Sequence, residues 1–349
     1  MNERVASFLA DPGSAGFEEL ALAAFAFQYE RVEPYRRLCA SRGAAPGRVG
    51  SWREVPLVPA AAFKSLRLAA APAREVFRSS GTSRGEAERS VHHHPFPELY
   101  RQAIDASFPH FCLPWGGRPA MLSLVPTREQ MPDSSLSFMI EHVLGRFGGP
   151  DSATAFGRRG VEAGAARSWT GARQRQGQPV LILATSFALA QWLESLARLE
   201  LRFRLPAGSA VFETGGLKGQ GRQLSRAEML AALGDRLGVA PGAVVREYGM
   251  TELTSQCYTR ALLDGDPELY VAPHWMRVRV LDPATLEESP PGTPGLLAIF
   301  DLANLGSAVH LLTEDLAVAE GDGFRLLGRA AGAELRGCSQ LVEELARPG

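Results

Sequence analysis

The sequence predicts an α/β fold of mixed sheets with helices, plus a small β-rich subdomain. Short apolar stretches at residues 119 to 125, 179 to 186 and 242 to 252 alternate with helical patterns such as FALAQWLESLARLELRF, as strands and helices do in α/β sheets. Each stretch ends in hydroxyls or glycines, where open parallel sheets place their ligand-binding loops. From about residue 270 alternating strands joined by the turn EESPPGTPG indicate an antiparallel sheet or small barrel.

The part before the first of these strands is predicted to be helical and then irregular. Residues 14 to 43 have helical periodicity, with Ser14 as the expected N-cap, and we expect Pro34 to kink or restart the helix. Prolines 56 and 59 favour extended backbone before them. The segment SWREVPLVPAAAFKSLRL is therefore predicted to be irregular.

Composition excludes several classes of protein. The 349 residues are 45% hydrophobic and 21% charged, which is typical of a globular chain of about two domains. The chain has 37 Lys and Arg residues against 38 Asp and Glu residues, so it lacks the overall positive charge that attracts nucleic acid. Because no apolar run approaches the roughly 18 residues that a membrane helix needs, and no signal-peptide pattern is present, we expect a cytoplasmic protein without a membrane span.

Cysteine and histidine spacing does not indicate a metal site. Cys39, Cys112, Cys257 and Cys338 lie far apart without CxxC spacing, so neither a zinc site nor a disulfide framework is predicted. The run HHH at residues 92 to 94 lacks a paired acid or cysteine, and consecutive residues of a strand point to opposite faces. Surface positions, or buried positions with hydrogen-bond partners, are expected for these histidines.

The loop FRSSGTSRGEAERS, residues 77 to 90, combines hydroxyls and glycines with flanking arginines. Backbone N–H groups freed by glycine, with neighbouring hydroxyls, form a concave donor surface suited to phosphate. The Walker A pattern GxxxxGK[ST] is absent, which disfavours an ordinary P-loop NTPase. A solvent-exposed Ser/Gly loop would have the same composition, so the decision rests on companion motifs.

Three companion motifs follow in order: FETGGLKGQ (212 to 220), REYGMTEL (246 to 253) and LLTEDLAVAEGDGFRLLGRAAGAELRGCS (311 to 339). Singly, each also fits an ordinary strand end or turn. Together and in this order they resemble the adenylate-forming superfamily, which activates carboxylic acids with ATP to acyl-AMP and pyrophosphate. The closest resemblance is to acyl-protein synthetases of the LuxE type, the fatty-acid-activating component of bacterial luminescence reductase. It runs from Phe63 and Lys64 through ELRGCS, and implies the fold of the superfamily's N-terminal domain.

The resemblance implies ATP and Mg²⁺ as cofactors, and it assigns the ATP phosphates to the first loop. The candidate phosphate-binding residues are Ser79, Ser80, Gly81, Thr82 and Ser83. The superfamily usually has another glycine where this chain has Arg84, and the lysine that often follows is missing. Arg84 or Arg89 is the candidate to supply that charge.

The other motifs resemble the base, ribose and metal sites of the superfamily. Tyr248 resembles the aromatic residue that stacks on adenine, Thr251 the residue near the α-phosphate, and Glu252 the Mg²⁺ ligand. A hard carboxylate oxygen suits Mg²⁺ that also bridges phosphates. The candidate residues around the base are Gly215, Gly216, Leu217, Tyr248 and Gly249.

The third companion motif resembles the ribose site and the hinge. Asp315 in TEDL resembles the carboxylate that accepts both ribose hydroxyls, and Glu314 replaces the usual glycine before it. Arg329 in LLGR resembles the superfamily's hinge-side arginine, directed at ribose or phosphate.

The C-terminal tail departs from full-length adenylating enzymes. These carry a lid domain with a catalytic lysine after the hinge, whereas 20 residues follow Arg329 here, fewer than the roughly 50 of a small domain. We therefore expect the lid to be absent or vestigial. Acyl-protein synthetases are likewise short and are acylated on a cysteine near the C-terminus, which matches Cys338 in RGCS. A thiolate suits attack on an acyl-adenylate, and Arg336 would lower its pKa; a structural cysteine stays the alternative.

Three functions stay open at this point. The first is acid activation followed by transfer to Cys338 and onward to a reductase or carrier. The second is an acyl- or aryl-CoA ligase, or an acyl-carrier loader, that resembles phenylacetate-CoA ligases. The third is a non-catalytic nucleotide-binding partner in a biosynthetic complex, which Arg84 and the missing lid lysine would favour.

The acyl pocket is less clear than the nucleotide site. The segment MPDSSLSFMIEHVL places Leu136, Met139, Ile140 and Val143 near one helical face, and Phe187 follows a strand end. These residues could line a tunnel or belong to the core. The predicted organisation is an adenylation core with the ATP and acyl sites over residues 1–265, a β-rich subdomain over 266–330 and a tail with Cys338 over 331–349.

Overall fold

The computed structural model describes residues 1–79, 89–215, 224–263, 265–330 and 345. Within these ranges the α-helices are α1 (Asn2–Ala10), α2 (Phe17–Arg31), α3 (Glu33–Ser41), α4 (Pro97–Cys112), α5 (Ser135–Phe147), α6 (Ala163–Gln176), α7 (Ser186–Arg198) and α8 (Arg226–Leu237). The strands are β1 (Val58–Pro59), β2 (Glu75–Arg78), β3 (Val91–His94), β4 (Ala120–Ser123), β5 (Ala153–Thr154), β6 (Phe156–Gly157), β7 (Gly160–Val161), β8 (Val180–Thr185), β9 (Ala210–Thr214), β10 (Val244–Tyr248), β11 (Cys257–Thr259), β12 (Tyr270–Val271), β13 (Met276–Leu281), β14 (Gly295–Asp301), β15 (His310–Glu320) and β16 (Gly323–Arg329). Helices combined with both parallel and antiparallel strands confirm the predicted α/β class.

The chain forms two compact units. The first unit comprises Met1–Ala106, Met250–Cys257 and Tyr270–Gly349, and the second comprises Ser107–Gly249 and Tyr258–Leu269. The boundaries expected at residues 265 and 330 stay a prediction.

The second unit contains a parallel sheet in the order β10-β9-β8-β4-β5. β9 is buried along its whole length and β8 along all but its last residue, as is typical of strands covered on both faces. Trp192 of α7 and Leu233 of α8 pack with Ile182 of β8 and Val211 of β9 in one core. α7 begins directly after β8, where the Thr185 hydroxyl accepts a hydrogen bond from Ala188 N.

The first unit contains an antiparallel sheet in the order β13-β14-β15-β16-β12, with β1 pairing in parallel with β15. β2 and β3 form a separate antiparallel pair. In the β15–β16 ladder the register shifts between Leu316 and Ala317, because Leu316 faces Gly328 whereas Ala317 faces Leu326. Leu327 is thus the extra residue of a β-bulge, and the neighbouring Gly328 has a φ of 123°, a conformation that favours glycine.

The predicted strands at residues 119 to 125, 179 to 186 and 242 to 252 correspond to β4, β8 and β10, and the antiparallel region after residue 270 is confirmed. Pro34 does restart the helix, since α2 ends at Arg31 and α3 has Pro34 in its first turn. Ser14 as N-cap is wrong. It lies in a short 3₁₀ turn capped by Asp11, and α2 begins at Phe17 after Gly16.

Candidate active site

In the second unit, Gly215 and Tyr248 follow neighbouring parallel strands. Thr214 of β9 faces Glu247 of β10, so Gly215 and Tyr248 are the next positions along the two strands. Gly215 has a φ of 74°, and among the described residues no heavy atom lies within 4 Å of where its Cβ would stand. An open glycine turn beside a mostly buried tyrosine ring suits the flat face of a base. Gly249 follows Tyr248 directly, whereas Gly216 and Leu217 lie outside the described residues.

A charged network, which the motifs do not reveal, lies beneath the Gly215 turn. Arg226 Nη1 contacts Glu213 Oε2 at 2.6 Å, and its Nε contacts Glu268 Oε1 at 2.9 Å. Glu268 Oε2 also accepts a hydrogen bond from Arg246 at 2.7 Å. The Ser186 hydroxyl lies 2.7 Å from Glu213 Oε1 and 2.6 Å from the Gly215 carbonyl. These contacts connect the backbone of the turn to the start of α7 and α8.

Glu247 is a buried carboxyl group at the end of β10. Burial raises its pKa from an ordinary value of 4.5 to about 7, and a hydrogen bond from the Thr214 hydroxyl opposes this shift. Glu247 also raises the pKa of Cys112, although burial of that thiol is the larger cause.

Replacing Glu247 by glutamine is expected to make stability less dependent on pH. The folded state keeps the Glu247 proton up to about pH 7 while the unfolded state loses it near 4.5, so Glu247 lowers the free energy of unfolding as pH rises through this range. Between pH 4.5 and pH 8 the free energy of unfolding of the variant, relative to that of the parent, should rise by about 3 kcal/mol. Urea unfolding at both pH values measures this difference. Glu141→Gln on the exposed side of α5 controls for the loss of one charge, and equal pH profiles for parent and Glu247→Gln would contradict the prediction.

In the first unit, two serines close the neck of the hydroxyl-rich loop. Ser79 N donates to Ser90 O at 3.1 Å, and Ser90 N donates to the Ser79 hydroxyl at 3.0 Å. These contacts extend the β2–β3 ladder by one position beyond Arg78 and Val91. Ser80, Gly81, Thr82 and Ser83 lie outside the described residues, so their predicted role stays a prediction.

Glu252 lies next to this neck. Its side chain is buried, and burial raises its pKa above the ordinary value. A hydrogen bond with the Ser90 side chain and the positive charge of Arg329 lower the pKa, whereas the negative charge of Glu314 raises it. The first unit thus brings Glu252 near the loop neck and near Glu314 and Arg329 of the third companion motif.

Asp315 and Arg329 are cross-strand partners. They face each other in the β15–β16 ladder, and Arg329 Nε lies 3.2 Å from Asp315 Oδ1. Arg329 Nη1 also donates to Glu314 Oε2 at 3.0 Å. The Asp315 side chain is 14% exposed and that of Arg329 is 53% exposed, so the carboxylate lies at the base of the pair and the guanidinium nearer solvent.

The donor set around Glu252 fits one mode of Mg²⁺ binding. The described residues contain no group of three or more His, Cys, Asp or Glu side chains that could hold a metal ion. Mg²⁺ is usually bound through one or two carboxylates together with substrate phosphates and water. A single carboxylate beside the loop neck fits this mode, and it does not fit a cage built from protein ligands alone.

His92 and His94 are buried, and each has a hydrogen-bond partner, as the sequence predicts for non-surface positions. His92 Nδ1 lies 2.8 Å from Thr251 O, and His94 Nε2 lies 2.9 Å from the Thr254 hydroxyl. Burial lowers the pKa of His92 from 6.5 to about 4, so the ring is neutral near pH 7. His93, on the opposite face of β3, is half-buried.

The remaining predicted residues divide into buried and exposed positions. Met139, Ile140 and Val143 are buried in α5, Leu136 is half-buried, and Phe187 is 40% exposed at the start of α7. Their role as acyl-pocket residues stays a prediction. Cys338 lies outside the described residues, and the cysteines inside them are buried.

One family model matches the chain. Its description is "Acyl-protein synthetase, LuxE", and it covers residues 170–346. A search of curated proteins finds no match. No helix among the described residues is long and apolar enough to span a membrane.

Solved adenylate-forming ligases share the fold. An open conformation of 2-hydroxyisobutyryl-CoA ligase with 2-HIB-AMP and CoA has a TM-score of 0.63 at 14% identity, over 89% of this chain and 74% of that chain. The same ligase in the postadenylation state has a TM-score of 0.65 at 14% identity, over 88% and 67%. ATP-bound MatB from Rhodopseudomonas palustris has a TM-score of 0.50 at 14% identity, over 81% and 52%. At this identity the likeness establishes the fold, and function must be argued from the site.

Proposed function

Because the chain belongs to the LuxE family of acyl-protein synthetases, we propose that it activates a fatty acid as acyl-AMP and then carries the acyl group on Cys338. Membership makes it an ATP-dependent, AMP-forming acid ligase; the fatty substrate and the thiol acceptor are the proposed parts. The observation that carries the proposal is the position of buried Glu252, beside Ser90 of the loop neck and near Arg329.

The first step forms the acyl-adenylate. A carboxylate oxygen of the acid attacks the α-phosphorus of ATP, the bond from that phosphorus to the bridging oxygen breaks, and pyrophosphate leaves. We assign the ATP phosphates to residues 79–83, the base to the Gly215–Leu217 turn and Tyr248–Gly249, and the ribose hydroxyls to Asp315 with Arg329. In this proposal, backbone N–H groups of the loop and the charge of Arg84 or Arg89 stabilise the negative charge that develops on the phosphates.

Glu252 is the proposed Mg²⁺ ligand. The ion, when bound, would neutralise phosphate charge during the displacement. Thr251, the neighbouring residue, is assigned to the α-phosphate. The raised pKa of Glu252 reflects mainly the cost of burying its charge, and a bound cation would offset that cost.

The second step transfers the acyl group to protein. The Cys338 thiolate attacks the acyl carbonyl carbon, the bond from that carbon to the AMP oxygen breaks, and a thioester forms with release of AMP. A thioester stays reactive enough to pass the acyl group to a reductase or a carrier.

The experiment that tests this function records intact mass and released pyrophosphate together. Purified protein is incubated with ATP, Mg²⁺ and a panel of fatty and aromatic acids. The expected result is pyrophosphate release with a hydroxylamine-labile mass gain for a fatty acid. Pyrophosphate release only when coenzyme A is added, without mass gain, would replace the proposal with a CoA ligase, and no release with any acid would favour a nucleotide-binding partner.

Glu314→Gln is expected to weaken ATP binding. Arg329 contacts both Glu314 and Asp315, and losing Glu314 leaves Arg329 paired with the carboxylate that the ribose hydroxyls need. Because an exposed ion pair contributes about 0–1 kcal/mol, KM for ATP should rise about two- to fivefold with a smaller change in kcat. Steady-state pyrophosphate release at varied ATP measures both constants.

The same hairpin offers a matched control. Glu320 pairs with Arg325 near the turn, 2.6 Å between Oε2 and Nε, and Glu320→Gln removes a comparable ion pair away from Asp315. An equal rise in KM for both variants, or no rise for Glu314→Gln, would show that Glu314 does not act on the ribose site.

A further inference from the structure

The segment from Thr251 to Ser255 lies outside regular secondary structure, and buried side chains hold its backbone. Thr254 N donates to Asp301 Oδ2 at 3.1 Å, and the Ser255 hydroxyl donates to Asp301 Oδ1 at 2.7 Å. Burial raises the pKa of Asp301 to about 6, and these donors oppose the shift. Without strand or helix partners, an irregular buried segment depends on such side chains to satisfy its backbone groups.

The two peptide groups that flank Glu252 are held by different side chains. His92 Nδ1 donates to the Thr251 carbonyl at 2.8 Å, since a carbonyl can only accept. Asn304 Nδ2 donates to the Glu252 carbonyl at 2.8 Å. One carbonyl belongs to the peptide before the Glu252 Cα and the other to the peptide after it. The backbone rotations that aim the Glu252 carboxylate are therefore restricted from both sides.

His92 and Asn304 are also connected to each other. The Ser307 hydroxyl oxygen lies 2.9 Å from both His92 Nε2 and Asn304 Oδ1, and its single hydrogen is donated to one of these two acceptors at a time. Thr254 donates its hydroxyl hydrogen to Asn304 Oδ1 at 2.8 Å, so His94 Nε2 donates to the Thr254 oxygen. Gln28 of α2 donates to the Asn304 and Leu305 carbonyls at 3.0 and 2.9 Å. Buried, interconnected hydrogen bonds of this kind make a local structure rigid.

We propose that His92 and Asn304 are positioning residues that hold the Glu252 carboxylate in its cation-binding orientation. This inference rests on the proposed role of Glu252 in the adenylation site. It gives His92, one residue of the histidine run, a role in orienting the proposed cation ligand. Catalytic constellations require support of this kind, because small displacements of a ligand reduce its effect strongly.

The test measures Mn²⁺ binding directly, as a probe for the Mg²⁺ site. Electron paramagnetic resonance follows free Mn²⁺ in the presence of α,β-methylene ATP, which adenylation cannot cleave. We expect His92→Ala to weaken Mn²⁺ binding about five- to twentyfold, and His92→Asn, whose amide can replace the Nδ1–H donor, to restore most of it. His310→Ala is the matched control. His310 is also buried and its Nδ1 donates to a backbone carbonyl, that of Val55, at 2.8 Å.

A double-mutant cycle separates positioning from general destabilisation. In a Glu252→Gln background, His92→Ala should weaken Mn²⁺ binding no further, because the ligand it positions is gone. The proposal would be overturned if His92→Ala weakened Mn²⁺ binding equally in the parent and in the Glu252→Gln background. It would also be overturned if His92→Ala and His310→Ala weakened Mn²⁺ binding equally. If Glu252→Gln alone leaves Mn²⁺ binding unchanged, the assigned role of Glu252 fails instead. Asn304→Asp, which keeps Oδ1 but replaces the Nδ2 donor, gives a second variant should His92→Ala fold poorly.

Discussion

Replacing Glu252 by glutamine should lower the rate of ATP-dependent pyrophosphate release about a hundredfold or more. Glutamine keeps the size of the side chain and can still hydrogen-bond with Ser90, but it removes the negative charge that a divalent cation needs. Losing one group that stabilises developing charge typically costs about a hundred- to a thousandfold in rate. The isotope exchange between pyrophosphate and ATP in the presence of the acid measures this step alone.

Burial also predicts the stability of this variant. Because burial disfavours the charged form of Glu252, Glu252→Gln should be at least as stable to heat as the parent when neither ATP nor metal is added. Adding MgATP should raise the melting temperature of the parent more than that of the variant. Exchange activity within about twofold of the parent would exclude Glu252 from the chemistry, and Glu320→Gln controls for charge removal at an exposed site of the same unit.

Replacing Cys338 by alanine should abolish the covalent acyl-protein and leave pyrophosphate exchange intact. The other cysteines cannot readily replace this thiol. Burial raises the pKa of Cys39 to about 12 and that of Cys112 well above its ordinary value, and Cys257 is buried. Thiolates at Cys39 and Cys112 are therefore scarce near neutral pH, and a cysteine attacks an acyl-adenylate as its thiolate. Intact mass after incubation with ATP, Mg²⁺ and the preferred acid measures the outcome.

A second variant, Cys338→Ser, tests which kind of ester the protein forms. A serine oxygen is a weaker nucleophile, and any oxyester it forms should resist neutral hydroxylamine where a thioester is cleaved. A hydroxylamine-labile mass gain that persists in Cys338→Ala would place the acyl group on another residue. Loss of exchange together with loss of mass would mean that Cys338 supports the fold or the adenylation step.

Local pattern predicts the part of the site that follows strand ends. The apolar stretches at 179 to 186 and 242 to 252 correspond to β8 and β10, and Tyr248 ends its strand as expected. Motif order places Asp315 and Arg329 in one site, and the structure pairs them across a hairpin. The roles assigned to the site residues all stay predictions, and Ser80–Ser83, Gly216, Leu217 and Cys338 also lie outside the described residues.

Local sequence patterns do not predict which side chains from distant parts of the chain come into contact. Alternation along VHHH separates His92 and His94 from His93, but only the tertiary fold brings His92 to Thr251 and Ser307. The run DLANLGS gives one signal that could have been used. It has Asp301, Asn304 and Ser307 in an otherwise apolar region, and polar residues there need buried partners. The prediction of Ser14 as the N-cap failed because Ser14 ends a short 3₁₀ turn that Asp11 caps, and α2 begins after Gly16.

The β-bulge at Leu327 limits how this hairpin can change length during evolution. With the bulge, Arg329 faces Asp315; without it, the register of the outer ladder would continue and place Arg329 opposite Glu314. Residues gained or lost at the Gly321 turn extend or shorten the tip and leave the inner pairing unchanged. Loss of Leu327 would remove the bulge and leave Gly328 facing Leu316 and Arg329 facing Asp315, whereas a residue added between Leu326 and Gly328 would shift every inner pair by one. Added residues among related sequences should therefore be found at the turn and not between Leu326 and Arg329.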